Sequence, residues 1–127
     1  MSLFEYFENA EGTGILATAD SDGMVDIALY ARPEVVDEST IALVMRERLS
    51  YQNLKSNPNA AYMFIEKGPG YTGKRLYLTM IRAETNQSLV ESFIIKQPEI
   101  SPAGDDSNKY LVFFRVENIW PLVGREK

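Results

Sequence analysis

The sequence predicts a mainly-β fold, an antiparallel Greek-key barrel with short helices, formed by a single domain over residues 1–127. Two features of the hydrophobic residues favour it. They make up 45% of the chain, which indicates a globular protein. They also occur in short runs separated by Gly, Pro, Asn and Asp, as strands joined by tight turns require. The sequence contains no internal repeat and no linker to a second domain.

The first predicted element is a short helix. Ser2 and Glu5 have the spacing of a capping box, in which each side chain accepts a backbone N–H of the other residue. Gly12 and Gly14 are predicted to end this helix, and a strand over residues 15–19 is expected to follow.

A hairpin comes next. Residues 20–23 predict a tight turn in which Gly23 takes a positive φ, and residues 24–32 form the return strand. Residues 34–39 are predicted to be a turn region, and residues 40–45 to be another strand.

The rest of the chain alternates between strands and helices. In the helix that Asn86 caps, the spacing of Leu89, Phe93 and Ile94 predicts one buried face. The predicted order is helix 50–56 stopped by Asn57 and Pro58, strand 60–66, turn 68–73, strand 75–84, a helix to residue 96, loop 97–108, strand 110–116 and tail 118–127.

The most informative stretch is the junction between the 40–45 strand and the 50–56 helix. Arg46 and Arg48 precede the helix, and Ser50 is its predicted N-cap. A helix N-terminus has unpaired N–H groups and a partial positive charge, so together with two arginines it would form a phosphate cradle. The alternative is a helix capped by Ser50 with two solvated arginines, and this segment taken alone favours that alternative.

Charge and hydropathy narrow the range of partners and locations. The formal net charge is −5 and the pI is about 4.8, which argues against nucleic acid or an anionic membrane as a partner. No apolar run approaches the roughly 20 residues of a membrane span. The N-terminus is acidic, unlike a signal peptide, so we expect a cytoplasmic protein.

Two residue types are missing altogether. The chain has no cysteine, which excludes disulfides and thiolate chemistry. It also has no histidine, which excludes a Ser-His-Asp triad and histidine-ligated zinc or haem. The sequence predicts no metal site, and it does not identify catalytic residues.

Several segments occur in the order seen in small flavin-binding barrels. They are residues 14–23, 25–31, 45–58, 59–64, 68–73 and 76–83. On these segments the chain resembles, over about residues 3–120, the FMN-binding split β-barrel family related to pyridoxamine 5'-phosphate oxidase, and within it the short FMN-binding proteins. The resemblance implies a homodimer that binds FMN, with a deazaflavin as the other cofactor used on this fold.

The resemblance places the FMN phosphate at the junction. It implies Arg48, Ser50 and Gln52 as phosphate ligands. Ser50 and Gln52 stand where many relatives have Lys or Arg, which makes the pocket less positive. Arg46 is a further candidate that would compensate for this, and its alternative is a surface charge.

The resemblance places the isoalloxazine ring on the strand 27–32, where relatives use backbone groups to hold it. The implied residues are Leu29, Tyr30 and Ala31, and the flat Tyr30 beside small alanines suits a ring that rests on a strand. Arg32 is expected to reach the phosphate or the ring edge. The alternative is an ordinary barrel strand.

Three further candidate cofactor-binding residues lie farther along the chain. Tyr71 and Lys74, in and after the glycine-rich turn, are expected to approach the cofactor of the partner subunit. That turn lacks the Walker spacing, and its residues favour a flexible hairpin. Trp120 matches a tryptophan that meets the flavin in related oxidases, and it equally fits a core or interface anchor.

The leading functional hypothesis is a flavin-dependent oxidoreductase that acts on a small-molecule redox substrate. The resemblance argues against true pyridoxamine 5'-phosphate oxidase activity, because that reaction relies on a C-terminal arginine–histidine pair and the tail here has only Arg125. The alternatives are a non-catalytic FMN carrier or electron-transfer protein, and a barrel without cofactor that acts as an interaction domain.

Overall fold

The computed structural model describes residues 2–46, 48–96 and 109–124, and excludes the side chains of residue 87 and of residues 93–96. It contains seven strands and three helices within these ranges. In chain order they are α1 (Leu3–Asn9), β1 (Gly12–Ala19), β2 (Val25–Tyr30), β3 (Glu34–Asp37), β4 (Thr40–Arg46), α2 (Leu49–Ser56), β5 (Asn59–Glu66), β6 (Gly73–Glu84), α3 (Gln87–Lys96) and β7 (Lys109–Pro121).

The strands form one antiparallel sheet in the order β2-β1-β5-β6-β7-β4-β3. The two edge strands, β2 and β3, follow each other in the chain and are joined only by residues 31–33. Because so short a connection holds the two edges close together, the sheet curls around its core as a barrel. The predicted mainly-β fold with short helices is confirmed.

Side chains alternate between the two faces of each strand. The sheet therefore has one hydrophobic cluster inside the barrel and a smaller one on its outer face. Ile41 and Leu43 of β4 point into the barrel, where they pack with Phe7 of α1. Ala42 points the other way, into a smaller cluster that includes Val90 of α3. A period of two residues thus lets β4 serve both cores.

Several local predictions are confirmed. The capping box between Ser2 and Glu5 is present in full. Gly23 has a φ of 83° in the β1–β2 turn, and Asn57 ends α2 as its C-cap. The Asn86 side chain accepts a hydrogen bond from the backbone N–H of Leu89 at 3.2 Å, so it caps α3 as expected.

The prediction of a turn region over residues 34–39 is wrong for most of that segment. β3 occupies Glu34–Asp37 and pairs with β4, with Val35 opposite Ile41. Two consecutive β-branched valines favour the extended backbone, and pairing with β4 satisfies their peptide groups. Only residues 38 and 39 form the turn.

The boundaries of several other elements also differ from the predicted ones. β1 begins at Gly12, because this glycine already pairs with Glu66 of β5. β7 continues through Trp120 to Pro121, where the sequence predicts a tail, since β6 pairs with β7 as far as Pro121, opposite Lys74. In α3 the buried residue is Val90, whereas Leu89 is exposed. The side chains of Phe93 and Ile94, and the loop 97–108, lie outside the described residues.

Candidate functional site

The junction between β4 and α2 gathers the predicted phosphate ligands. Arg48 is the N-cap residue of α2, with an extended backbone (φ −129°, ψ −168°), and its carbonyl accepts the N–H of Gln52 at 3.0 Å. The prediction that Ser50 is the N-cap is therefore wrong. Ser50 lies within the first turn, where the N–H groups have no carbonyl one turn earlier to bond with.

The four side chains differ in how far they reach the surface. Arg48 and Gln52 are exposed and Arg46 is half-buried, with its Nε atom enclosed by protein. Ser50 is only 3% exposed. The surface of the junction is consequently formed by two guanidinium groups and one amide.

Ser50 is buried because it contacts β2. Its hydroxyl hydrogen-bonds the phenol of Tyr30, and the charges of Arg48 and Asp26 act on the same phenol. The pKa of Tyr30 is raised, chiefly because burial disfavours the phenolate, while Ser50 and then Arg48 oppose that rise. Tyr30 therefore lies at the end of β2 that contacts the junction between β4 and α2.

Alternation on β2 separates Tyr30 from Leu29. Asp26 and Tyr30 are half-buried and face the barrel, whereas Ile27 and Leu29 are 71% and 55% exposed on the outer face. Only Leu29 and its exposed neighbours can support a ring on the outer face. Sequence reasoning assigned no role to Asp26, although the alternation of residues 26, 28 and 30 places it on the same face of β2 as Tyr30.

A buried hydrogen bond fixes α2 against the barrel. The Asn53 side-chain amide donates to the hydroxyl of Thr18 at 3.1 Å, and both residues are buried. Since Thr18 pairs with Asp26 across β1 and β2, this bond sets the height of α2 over the strand that carries Tyr30. Sequence reasoning did not assign a role to either partner.

Arg32 is engaged elsewhere. Its guanidinium Nη1 donates to the carbonyl oxygens of Phe7 at 2.8 Å and Ala10 at 2.9 Å, at the C-terminal end of α1. A cation is favourable at that end of a helix. Arg32 also lines a cavity of about 410 Å³, and none of the junction residues borders that cavity. Its lining is Phe4, Phe7, Glu8, Arg32, Pro33, Glu34 and Val35.

Lys74 and Tyr71 lie on the β5–β6 hairpin. Tyr71 is 84% exposed, whereas the ammonium of Lys74 lies 4.6 Å from the ring centroid of Tyr6. The Tyr6 hydroxyl in turn donates to Glu66, and burial followed by this carboxylate raises the pKa of the Tyr6 phenol. Lys74 thus holds the hairpin to α1 in this structure.

Trp120 lies far from the junction within one chain. Arg46 pairs with Lys109, and Trp120 is eleven positions further along β7, which corresponds to about 35 Å of strand. Its ring instead lies 4.4 Å from that of Tyr77 and 5.5 Å from the guanidinium of Arg75.

Trp120 and Leu29 nevertheless share the outer face of the sheet. The pairing registers place both on one row across five strands, in the order Leu29, Ile15, Met63, Arg75 and Trp120. The row begins at the exposed side chains of β2 and ends at the aromatic pair on β6 and β7. The outer face is therefore largely apolar near β2 and aromatic where β6 pairs with the C-terminal part of β7.

The described part of the chain holds neither a membrane-spanning helix nor a metal-binding cluster. None of its helices combines the length and the hydropathy needed to cross a bilayer. No group of three or more acidic side chains within residues 2–46, 48–96 and 109–124 is arranged to hold a metal ion.

Comparison by sequence found no relative: no protein-family model and no curated protein matches this chain. Comparison by structure found several. An FMN-binding protein from Syntrophomonas wolfei superposes with a TM-score of 0.77 at 16% identity, over 97% of this chain and 85% of its own. An F420 reductase has a TM-score of 0.71 at 17% identity, over 94% and 97% of the two chains.

A third similar structure is a Lactobacillus delbrueckii protein proposed to be a pyridoxamine 5'-phosphate oxidase. Its TM-score is 0.66 at 19% identity, over 92% of this chain and 88% of that one. The class of structure is thereby defined: this chain has the split-barrel fold that these three proteins share. The fold implied by the sequence resemblance is confirmed over nearly the whole chain.

Proposed function

We propose that the protein is an FMN-binding flavoprotein and a flavin-dependent oxidoreductase that acts on a small molecule as a homodimer. One observation carries the proposal. In a fold shared with an FMN-binding protein, Arg46 and Arg48 precede the first turn of α2, and this turn contacts the edge strand β2. Phosphate donors and a platform for a flat ring thus lie side by side.

The junction fits a phosphate group. Arg48 offers a planar fork of donors, Gln52 an amide, and the first turn of α2 its N–H groups. Arg46, half-buried behind them, adds a second positive charge. The buried Ser50 does not face outward, so we assign it no direct contact with the phosphate.

The strand β2 fits the ring. As an edge strand it pairs only with β1, so alternate N–H and C=O groups point away from the sheet. These groups would hydrogen-bond the polar edge of an isoalloxazine, as proposed for Leu29, Tyr30 and Ala31. The exposed side chains of Ile27 and Leu29 would cover its apolar part.

FMN supplies the electron or hydride chemistry when it is bound. The residues of this chain would bind and orient it. Histidine and cysteine are absent, and the phenol of Tyr30, on which Ser50 and Arg48 act, has a raised pKa. These residues therefore hold a neutral donor and positive charges near the phosphate and provide no general base that titrates near neutrality.

A two-fold dimer is part of the proposal. The exposed outer face of β2 would be covered by the same face of a second chain, because an isologous interface brings residue i against j and j against i. Such packing would place the aromatic end of one chain's outer face, at Trp120, near Leu29 of the other. It would also account for apolar side chains that a monomer leaves in water.

Two alternatives have specific support. The fold is shared with an F420 reductase, which favours a deazaflavin as the other cofactor. The burial of Ser50 leaves the junction less polar than a dedicated phosphate site, which favours a barrel without cofactor that acts as an interaction domain. A non-catalytic FMN carrier would use the same binding site as the enzyme.

Titration of the purified protein with FMN, monitored by flavin fluorescence, tests the proposal. Arg48→Ala should weaken FMN binding by about 1.5–3 kcal/mol, the scale of a hydrogen bond to a charged group. Lys55→Ala, which removes one positive charge from the other end of α2, is the matched control and should leave the affinity unchanged. Riboflavin, which has no phosphate, should bind wild-type protein and Arg48→Ala equally.

Two outcomes would contradict the proposal. A wild-type protein that binds neither FMN nor a deazaflavin lacks the cofactor role altogether. Equal affinity for FMN and riboflavin rules out phosphate recognition at the junction.

Steady oxidation of a nicotinamide donor by the FMN-loaded protein separates an enzyme from a carrier.

A further inference from the structure

We propose that the cavity between α1 and the start of β3 is a second binding site, for a small molecule that carries an ammonium, a carboxylate and an apolar group, such as a free α-amino acid. The cavity has a volume of about 410 Å³, within the range of about 300–1,000 Å³ that small-ligand pockets occupy. No residue of the junction between β4 and α2 borders it, so this site does not depend on the proposed FMN function.

The apolar wall of the cavity comes mainly from α1. This helix packs across β3, and the buried ring of Phe7 anchors it in the barrel core. Phe4, about one turn earlier in the helix, is 52% exposed and borders the cavity. Pro33 and Val35, from the chain that leads into β3 and from β3 itself, also line it. A ligand with an apolar side chain would therefore cover an aromatic ring that is otherwise in water.

Arg32 provides a fixed positive group at this cavity. Its Nη1 atom donates to the carbonyl oxygens of Phe7 at 2.8 Å and Ala10 at 2.9 Å, which uses both hydrogens of that nitrogen. The guanidinium carries three further N–H groups, on Nε and Nη2. Because the two carbonyls already hold the guanidinium in place, a carboxylate that binds these N–H groups would not have to order a flexible side chain. Arg32 is therefore a preorganised donor for the carboxylate of the ligand.

Two carboxylates border the same cavity. Glu8 of α1 and Glu34 of β3 line it together with Arg32, so the lining holds two acidic groups and one basic group. A ligand with only a carboxylate would be repelled by the two glutamates, and a ligand with only an ammonium would be repelled by Arg32. A molecule that has both charges a short distance apart can place each of them beside its opposite. The charges of the lining therefore favour an amphoteric ligand over a simple anion or cation.

Titration of the isotope-labelled full chain, followed by chemical-shift changes in NMR spectra, tests this site. L-Phenylalanine is the probe, and phenethylamine and phenylpropionate are analogues that lack its carboxylate and its ammonium respectively. We expect L-phenylalanine to bind with a dissociation constant of about 1 mM, the scale set by its few atoms. Each analogue should bind about tenfold more weakly, because it leaves one charged contact unmade. The largest shifts should be those of the backbone N–H groups of Phe7, Glu8 and Glu34.

Variants separate the two charged contacts. Glu34→Gln should weaken the binding of L-phenylalanine and phenethylamine about tenfold and should not weaken that of phenylpropionate. Arg32→Met should weaken L-phenylalanine and phenylpropionate and should not weaken phenethylamine. Because Arg32 also supports the fold, Glu8→Gln, at an exposed position on α1, gives a second test of the ammonium contact. Glu38→Gln removes the same charge in the β3–β4 turn, outside the cavity lining, and as the matched control should change none of the three affinities.

Three results would overturn the inference. If L-phenylalanine does not bind, or binds no more tightly than either analogue, the cavity does not recognise an amphoteric ligand. If Glu8→Gln and Glu34→Gln both bind L-phenylalanine as the wild type does, the carboxylates do not hold its ammonium. If the shifts map outside the cavity lining, the ligand binds elsewhere. A protein that binds L-phenylalanine here but does not bind FMN would retain this site and contradict only the proposed function.

Discussion

The hydroxyl of Tyr62 donates a hydrogen bond to the carbonyl oxygen of Ala31 at 3.0 Å, although β1 lies between the strand of Tyr62, β5, and the strand β2, which ends one residue before Ala31. The bond crosses the inner side of β1 at Gly14. A Cβ at Gly14 would collide with the Tyr62 hydroxyl and with the carbonyl oxygen of Tyr30. The absence of a side chain at position 14 thus lets Tyr62 reach the end of β2, where the ring platform of the proposed site lies.

Gly14→Ala should lower the free energy of unfolding by about 1–3 kcal/mol, as overpacking of a well-filled core does. Urea denaturation measures the effect. The double variant Gly14→Ala with Tyr62→Phe should recover part of the loss, because the phenylalanine removes the Tyr62 hydroxyl oxygen, which is the nearest of the three colliding atoms. A Gly14→Ala protein as stable as the wild type would contradict this packing.

Stability should fall at alkaline pH because of buried tyrosines. Burial raises the pKa of Tyr30 and Tyr62 above the ordinary value of 10.0. Below pH 10 both phenols are neutral in the folded and the unfolded chain, and the stabilisation is fully present. As the pH rises past 10 the unfolded chain loses these protons first, so the free energy of unfolding decreases toward the higher folded pKa.

Urea denaturation at pH 9, 10 and 11 tests this alkaline loss. Tyr62→Phe removes one of the titrating groups and should show a shallower decline than the wild type. Tyr71→Phe, at an exposed position, should decline as steeply as the wild type. Identical slopes for all three proteins would assign the loss to other groups.

Arg32 should stabilise the fold and leave phosphate preference unchanged. Arg32→Met keeps the apolar stem but removes the donor to the carbonyls of Phe7 and Ala10, so we expect a loss of about 1.5–3 kcal/mol in the free energy of unfolding. Arg115→Met, which removes an exposed ion pair with Glu117, should leave the free energy of unfolding nearly unchanged, because solvent screens that pair. A changed preference for FMN over riboflavin in Arg32→Met would instead place Arg32 at the phosphate.

The outer face of β2 should mediate dimerisation. Ile27→Glu places a charge between the exposed side chains of Val25 and Leu29 on β2 and should convert a dimer to a monomer, as measured by light scattering at micromolar concentration. Val36→Glu makes the same change at a half-exposed position on β3, the opposite edge strand, and should leave the mass unchanged. A monomeric wild-type protein would contradict the proposed dimer.

Short-range sequence patterns were sufficient to predict most of the fold. The capping box at Ser2, the positive φ at Gly23 and the cap at Asn86 each depend on residues within about four positions, and all three are present. The strands were predicted because alternation reports which face is buried. The absence of His and Cys, and the functions this excludes, follow from the sequence alone.

The composition of the site was decided by contacts between distant segments. Ser50 has the sequence of an N-cap, yet it lies in the first turn because its hydroxyl meets Tyr30, twenty positions earlier in the chain. Arg32 donates to the carbonyl oxygens of Phe7 and Ala10 at the end of α1. Trp120 lies on the same row as Leu29 because of four successive strand registers. Hydrogen-bond partners and registers of this kind depend on how the sheet closes, and no local pattern encodes them.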